Sequence, residues 1–596
     1  MPAELLERPG QEALNQIPSV MPVSRWVLRI GIFLLPLAFL PDIVDEFVLP
    51  KLLLARLLVV VLAVMLLIGW LRQGAITWRR TPLDLPLIAF IGSAALSTIF
   101  AINHNVAIFG TYDRWEGLLT IVTYALLFWL AAQLISGEAD ARGLTWSLLS
   151  SAYFIAAVAI LQSGFGLLGG GHFADANGII RADATLAHPD FLGIFLAMLL
   201  PVAVAKLVSS RPLLTRILAA NLIIVLALGL LLTYTRGALI AAVIGLMVVL
   251  SLRRRRFHAW PLVAFVAALM SVMALIGAVA VARTGSDQAR VTNALYARIV
   301  SIADLSSGSQ AERVKTWQDT LPLIASRPII GYGPDTFGLV YPRFQTSNRN
   351  LELFDKPHEE SLGIAATQGV VGLLAYLWIL VAFVRAFWAG RHLRGAVALF
   401  GGWVAYEIGT QVNFSYIPTS APFWLFAAAA VITWAPTTEP LRIAAFPRKV
   451  AIPTLAASSL VLAALAIPAV MLPYLADADY YLAQRTGDLG HARSLIAQAR
   501  TLAPYVVAYA VQAGDLALNL DSNDNPAPDA DWAGALEAYR TAARLGSYFP
   551  ETFRHLAITD EYFGDHVGAL AAARRAVELD RYDPKSQALL AKLTSQ

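Results

Sequence analysis

The residues that invite a chemical reading are cations, imidazoles and carboxylates at the ends of long apolar runs. Arg236, in Thr-Tyr-Thr-Arg-Gly, stands where two strongly apolar segments join through almost no loop. An ionisable group at membrane depth is costly and normally faces a cavity or a partner. Arg114 and Glu116 share the turn Gly110 to Thr120, His188 lies in Leu-Ala-His-Pro-Asp, Arg313 opens a polar helix, and His358 is followed by Glu359 and Glu360. Guanidinium forks bind phosphate oxygens in pairs, and a neutral imidazole can take the proton of an attacking hydroxyl. His358 follows a proline and precedes an apolar helix, whose dipole disfavours the imidazolium. Together these residues suit transfer chemistry on a lipid-linked pyrophosphate. Each also has an ordinary reading. Arg236 could snorkel to lipid headgroups, Arg313 lies among Glu312, Lys315 and Asp319 and could be an i,i+4-paired surface cation, and a lone loop histidine is commonly just polar surface.

The elements that must position them are membrane helices. Of 596 residues 57% are hydrophobic and only 14% charged, more apolar than a soluble domain. Runs of spanning length begin near Leu28, Leu52, Leu83, Leu118, Trp146, Phe191, Ile217, Gly237, Pro261, Leu362, Ala396, Ala421 and Pro453. The expected fold is therefore all-α: a polytopic bundle of about 12–13 spans, followed by a small extracytoplasmic helical repeat domain. The first apolar run lacks a small-residue cleavage site and reads as a retained helix. With the N-terminus inside, the basic loops at Arg72 to Arg80, Lys206 to Arg216, Arg253 to Arg256, Arg385 to Arg394 and Arg442 to Lys449 share the cytoplasmic side. The reactive set, the long loop 284–358 with a helix expected over Gln310–Ser326, and the tail then fall outside. Trp115, Trp260, Trp378, Trp388 and Trp424 sit near span ends and read as interfacial anchors.

The domain reading is a cytoplasmic segment 1–27, a membrane domain 28–475 and a helical domain 476–596. In the last, Gly534-Ala535-Leu536 recurs as Gly568-Ala569-Leu570 and Pro550 as Pro584, both at the 34-residue tetratricopeptide period. A degenerate third copy runs from Tyr480 to Pro504, with Asp521 to Asp531 as an insertion. Such repeats offer a concave surface for a protein partner or simply cap the membrane domain. The chain has no cysteine, which removes thiolate chemistry. It has no phosphate-binding glycine loop, His-Glu-x-x-His pair or nucleophile elbow. No cofactor, metal or nucleic acid is expected.

These segments resemble the O-antigen ligase and Wzy-type polymerase superfamily, in the subgroup with tetratricopeptide tails. The matching stretches are Leu49-Pro50-Lys51, Arg114 to Thr120, Thr235-Arg236-Gly237-Ala238, Glu312-Arg313, Arg327 to Gly333, Lys356-Pro357-His358, Gly369 to Leu374, and Asn413-Phe414-Ser415 to Trp424. The resemblance implies metal-independent transfer of a glycan from an undecaprenyl-pyrophosphate donor to an acceptor hydroxyl, at the outer face of a bacterial inner membrane. It implies Arg236 and Arg313 at the pyrophosphate, with Arg114 as an addition, and His358 as the base. The lipid-linked oligosaccharide donor, membrane lipids and a lipid, protein or glycan acceptor are the expected partners. The chain departs from the pattern where His-Asn becomes His358-Glu359 and Gly-Asn-Pro-Asn becomes Ala187-His188-Pro189-Asp190. Glu116, His188 and Glu359 are therefore carried as auxiliary residues.

Other readings stay open: a Wzy-type polymerase, a protein O-oligosaccharyltransferase, and a small-anion transporter. A metal-dependent glycosyltransferase built on Asp42, Asp45 and Glu46 is a further one, though that cluster is equally explained as a solvated loop.

Overall fold

The computed structural model describes residues 22–135, 137–164, 173–174, 180–210, 212–252, 308–346, 354–435, 441–445, 448–520 and 526–595. The chain is helical nearly throughout. Its membrane part comprises α1 (Pro22–Leu34), α2 (Val48–Gln73), α3 (Asp84–Ile99), the short α4 (His104–Phe109), α5 (Leu118–Leu134), α6 (Glu138–Ala159), α7 (Pro189–Ser209), α8 (Leu213–Leu232) and α9 (Arg236–Leu252). It continues with α10 (Gly308–Ser326), α11 (Phe337–Val340), α12 (Glu360–Gly390), α13 (Ala396–Gln411), α14 (Ile417–Trp434) and α15 (Arg448–Arg485). Every expected span coincides with a helix except the one near Pro261, which lies outside the described residues.

Among the described residues, seven helices are long and apolar enough to cross a membrane: Val48–Gln73, Glu138–Ser163, Pro189–Ser209, Leu213–Leu232, Glu360–Gly390, Ile417–Trp434 and Ala457–Arg485. α1, α3, α5, α9 and α13, shorter as described, lie at the other expected spans. α3 and α13 have 16 residues and α5 has 17, or about 24–26 Å at 1.5 Å per residue, while α9 is followed from Arg236 as far as Leu252, the last described residue there. The C-terminal ends of α3 and α13 and the N-terminal ends of α5 and α9 meet polar loops at one end of the bundle. At the other end, Ala75–Trp78 (β1) and Leu441–Ala445 (β2) pair antiparallel. The core between is leucine, alanine and phenylalanine from α2, α5, α7 and α14.

One joint fixes the loop that carries His358. α12 breaks at Gly369, whose φ of 67° and ψ of −167° suit only glycine. Into the break runs Pro328–Gly333: Val370 N–H donates to Pro328 O at 2.7 Å, and Gly333 N–H to Thr367 O at 2.8 Å. A Cβ on Gly369 would lie 2.2 Å from Ile329 O, and one on Gly331 2.4 Å from Thr367 C. The glycines of this segment are what let two backbones interlock.

After α15 come α16 (Leu489–Leu502), α17 (Val507–Leu518), α18 (Trp532–Leu545), α19 (Pro550–Tyr562), α20 (His566–Leu579) and α21 (Pro584–Thr594), each packed on the next. α15 runs unbroken through the expected boundary at residue 475, carrying the last apolar helix directly into this array. The positions 34 residues apart adopt matching conformations. Asp531 and Asp565 cap α18 and α20, each accepting at 2.9 Å from Gly534 N–H and Gly568 N–H respectively. Pro550 and Pro584 open α19 and α21. Of the expected insertion, residues 521–525 lie outside the described residues.

Candidate active site

A cavity of about 570 Å³ opens at the end of the bundle where α3 and α13 end and α5 begins. Three of the expected residues line it: Arg114 from the turn before α5, His188 capping α7, and His358 in the loop before α12. The Arg114 guanidinium pairs with Asp355 and lies 5.2 and 5.1 Å from the ring centres of Phe414 and Tyr416. Burial opposes its charge, and Asp355 more than restores it, raising its pKa above the usual arginine value.

The two imidazoles are held in opposite tautomers. His358 Nδ1 contacts Lys356 O at 3.2 Å; a carbonyl only accepts, so Nδ1 carries the proton and Nε2 is left as an acceptor. His188 Nδ1 instead accepts from Asp190 N–H at 3.1 Å, which leaves Nε2–H as a donor. Burial, aided by the Arg313 charge, pushes His358 from 6.5 down to about 4. Burial lowers His188 as well, so both rings are neutral at pH 7. The helix dipole invoked from sequence is a smaller matter than burial. His358 also has φ 56°, a left-handed backbone uncommon for a non-glycine residue.

Arg313 does not line the cavity but stands directly behind it. Its Nη2 donates to Asp190 Oδ2 at 3.0 Å and its Nη1 to Val412 O at 2.7 Å. Asp190, which does line the cavity, also accepts from Arg181 Nη2 at 2.7 Å and from Thr235 Oγ at 2.9 Å. Two guanidiniums are thus gripped by one carboxylate. Arg181 and Asp190 were missed as a pair by sequence reasoning. The signal was the Asp in Ala-His-Pro-Asp, one of the two departures from the family pattern. Arg236 is outside the cavity lining. It opens α9 half-buried, one residue beyond Thr235, and its neighbour Gly237 abuts the Val412 side chain.

Glu116 and Glu359 face elsewhere. A second cavity, about 140 Å³, is lined by apolar residues of α3, α5 and α12 and by Glu116, Lys356, Glu359, Glu360 and Glu407. The segment 355–360 divides the two spaces: Asp355 and His358 look into the first, Lys356, Pro357, Glu359 and Glu360 into the second, and Phe414 borders both. Glu359 caps α12 by accepting from Leu362 N–H, which accounts for an acid where the family pattern has asparagine. Glu116 accepts from Tyr124 OH at 2.8 Å, and burial raises it from 4.5 to about 8. Lys356 is held by Asp335 at 2.7 Å.

Two other expectations are corrected. Trp115 is buried at 3% exposure and donates to Asp45 Oδ2 at 2.9 Å, so it holds a cavity residue from behind rather than anchoring at the interface. Trp378 and Trp388 are exposed, and Trp260 lies outside the described residues. Asp45 spends its oxygens on Trp115 and on the N–H groups of Val48 and Leu49 at 3.0 and 3.1 Å. Among the described residues no three His, Asp or Glu converge as a metal site.

Compared with known families, residues 220–377 match the one described as O-Antigen ligase. The matched segment contains Arg236, Arg313 and His358, together with the Gly369 joint. It supports the O-antigen ligase superfamily and membrane glycan processing of the ligase or polymerase type. No curated protein matches the chain.

Proposed function

We propose, taking the O-antigen ligase match of residues 220–377 as premise, that this multi-pass membrane protein transfers a glycan from an undecaprenyl-pyrophosphate donor to an acceptor hydroxyl without a metal. The observation that carries the reading is the pair of neutral imidazoles in opposite tautomers, sharing one cavity with Arg114. In this scheme the acceptor O–H gives its proton to His358 Nε2 as its oxygen bonds to the anomeric carbon. The bond from that carbon to the pyrophosphate oxygen breaks, and the lipid pyrophosphate leaves with the electron pair. Arg114, with Arg313 and Arg181 behind Asp190, stabilises the departing charge, and His188 Nε2–H donates to it. Arg236 belongs to the same anion site through its place beside Thr235. Positive-inside loops support a bacterial inner membrane with the N-terminus cytoplasmic and the cavity and repeat array outside. The 34-residue recurrence of the caps supports tetratricopeptide-type repeats.

The test is incubation of the purified protein, in chelator, with an undecaprenyl-pyrophosphate-linked glycan and lipid, protein or glycan acceptors, followed by mass. Transfer by the wild type, reduced about 10²-fold or more in His358→Ala, is expected for loss of a general base. The acceptor that gains mass separates ligase, polymerase and protein glycosylation. Equal transfer by Arg313→Gln, His358→Ala and wild type would refute the scheme.

A further inference from the structure

The cavity is not closed by the membrane helices alone. Tyr548, on the turn between α18 and α19, lines it. It packs at Gly338, where a Cβ would lie 3.3 Å from Asp355 Cα and 3.6 Å from Tyr548 Cδ2, so the ring stands beside the carboxylate that holds Arg114. The array carrying it is clasped to the membrane part at several points. Asn105 Nδ2 donates to Tyr505 O and Leu545 O at 2.9 and 3.0 Å, and Phe109 stacks on Tyr505 at 4.1 Å. Arg575 Nη2 donates to Leu339 O at 3.1 Å. Asp477 accepts from Asp45 N–H at 3.0 Å, Tyr112 OH at 2.6 Å and Tyr509 OH at 3.0 Å. Asp45 and Tyr112 are themselves cavity residues.

The lining on this side is aromatic and acidic: Tyr112, Tyr548, Asp45, Asp113 and Asp355. Beside the Arg114–Asp355 pair, this lining suits sugar, whose ring face packs on an aromatic and whose hydroxyls donate to carboxyl oxygens. Ligand pockets span about 300–1,000 Å³, and this cavity, at about 570 Å³, has room for a pyrophosphate with a sugar beside it. We infer that Tyr548 of the C-terminal array contacts the glycan of the donor, making the array a wall of the transferase site and a determinant of glycan specificity. The inference rests on the transferase reading above.

The test uses the full-length protein in lipid nanodiscs with wild type, Tyr548→Ala, Tyr548→Phe and, as a control in the array away from the cavity, Tyr562→Ala. Binding and turnover are measured with undecaprenyl pyrophosphate bearing the glycan and with undecaprenyl pyrophosphate alone. Tyr548→Ala is expected to weaken glycan-donor binding and raise its KM about tenfold, an aromatic-contact magnitude. Its kcat and its binding of the sugar-free lipid should stay unchanged, with Tyr548→Phe and Tyr562→Ala near wild type. Equal glycan-donor affinity in Tyr548→Ala and wild type would overturn the inference while leaving the transferase reading intact. Equal weakening toward both lipids, with a lowered melting temperature in Tyr548→Phe as well, would also overturn it, since that is a structural effect. A wild type that binds the glycan donor without turnover would overturn the transferase reading alone. One that binds neither lipid would overturn both.

Discussion

At the scale of residues, the site is governed by what burial does to ionisable groups. His358 is held at about 4 against 6.5; the unfolded chain therefore takes up its proton first as pH falls, and native stability from this group declines between about pH 6.5 and 4. In kcat/KM against pH, the acid limb is expected near pH 4 rather than 6.5. Because the Arg313 charge contributes to the depression, Arg313→Gln should move that limb upward while lowering kcat/KM. A limb that stays in place would exclude His358 as the titrating base. Glu116 shows the opposite sign. Raised from 4.5 to about 8, it stays protonated in the native state after the unfolded chain has ionised, so stability falls as pH rises through that window. Glu116→Gln should therefore raise the melting temperature more at pH 8 than at pH 5, read by thermal scans at both. His358, Arg114 and His188 were legible as chemistry because a charged or imidazole side chain at a span end is conspicuous. Arg181 was not, because the carboxylate that recruits it lies across a loop and only the fold brings Asp190 between two arginines.

At the scale of elements, helix existence was readable from apolar runs, while helix ends were not. α3, α5 and α13 look spanning in sequence, yet local turns terminate them. The turn before α5 is secured by Thr120 Oγ donating to Trp115 O and by Trp115 itself on Asp45, contacts that no periodicity announces. Arg79, readable only as a cytoplasmic charge, is buried and donates to Ala132 O and Ile135 O at the C-terminal end of α5. The interlock at Gly369 is the most exacting joint. Gly369→Ala is expected to cost about 1–3 kcal/mol from backbone strain alone, plus the displacement of Ile329 O. Because the joint sets the height of the His358 loop, turnover should fall further than the melting temperature suggests. Wild-type activity in a folded Gly369→Ala protein would show that the joint does not position the loop.

At the scale of the whole molecule, the array and the membrane helices share one wall through Asp477, whose three donors come from three separate parts of the chain. The 34-residue period made the array readable as helices, but its use could not be read. Tyr548 is one aromatic in a turn, and its relation to Arg114 exists only after some 430 residues of chain have folded back. Asp477→Ala should loosen this clasp, lowering the melting temperature and raising the KM for the glycan donor, measured in the same nanodiscs. The three shorter helices, α3, α5 and α13, carry a further consequence for the host membrane. A bundle that is shallower where they lie fits a bilayer that dimples toward the cavity, and such a fit carries an elastic cost that grows with acyl-chain length. Turnover in vesicles of defined lipids should therefore peak with shorter chains and fall as the bilayer thickens, making the thickness of the surrounding lipid a regulator of the enzyme.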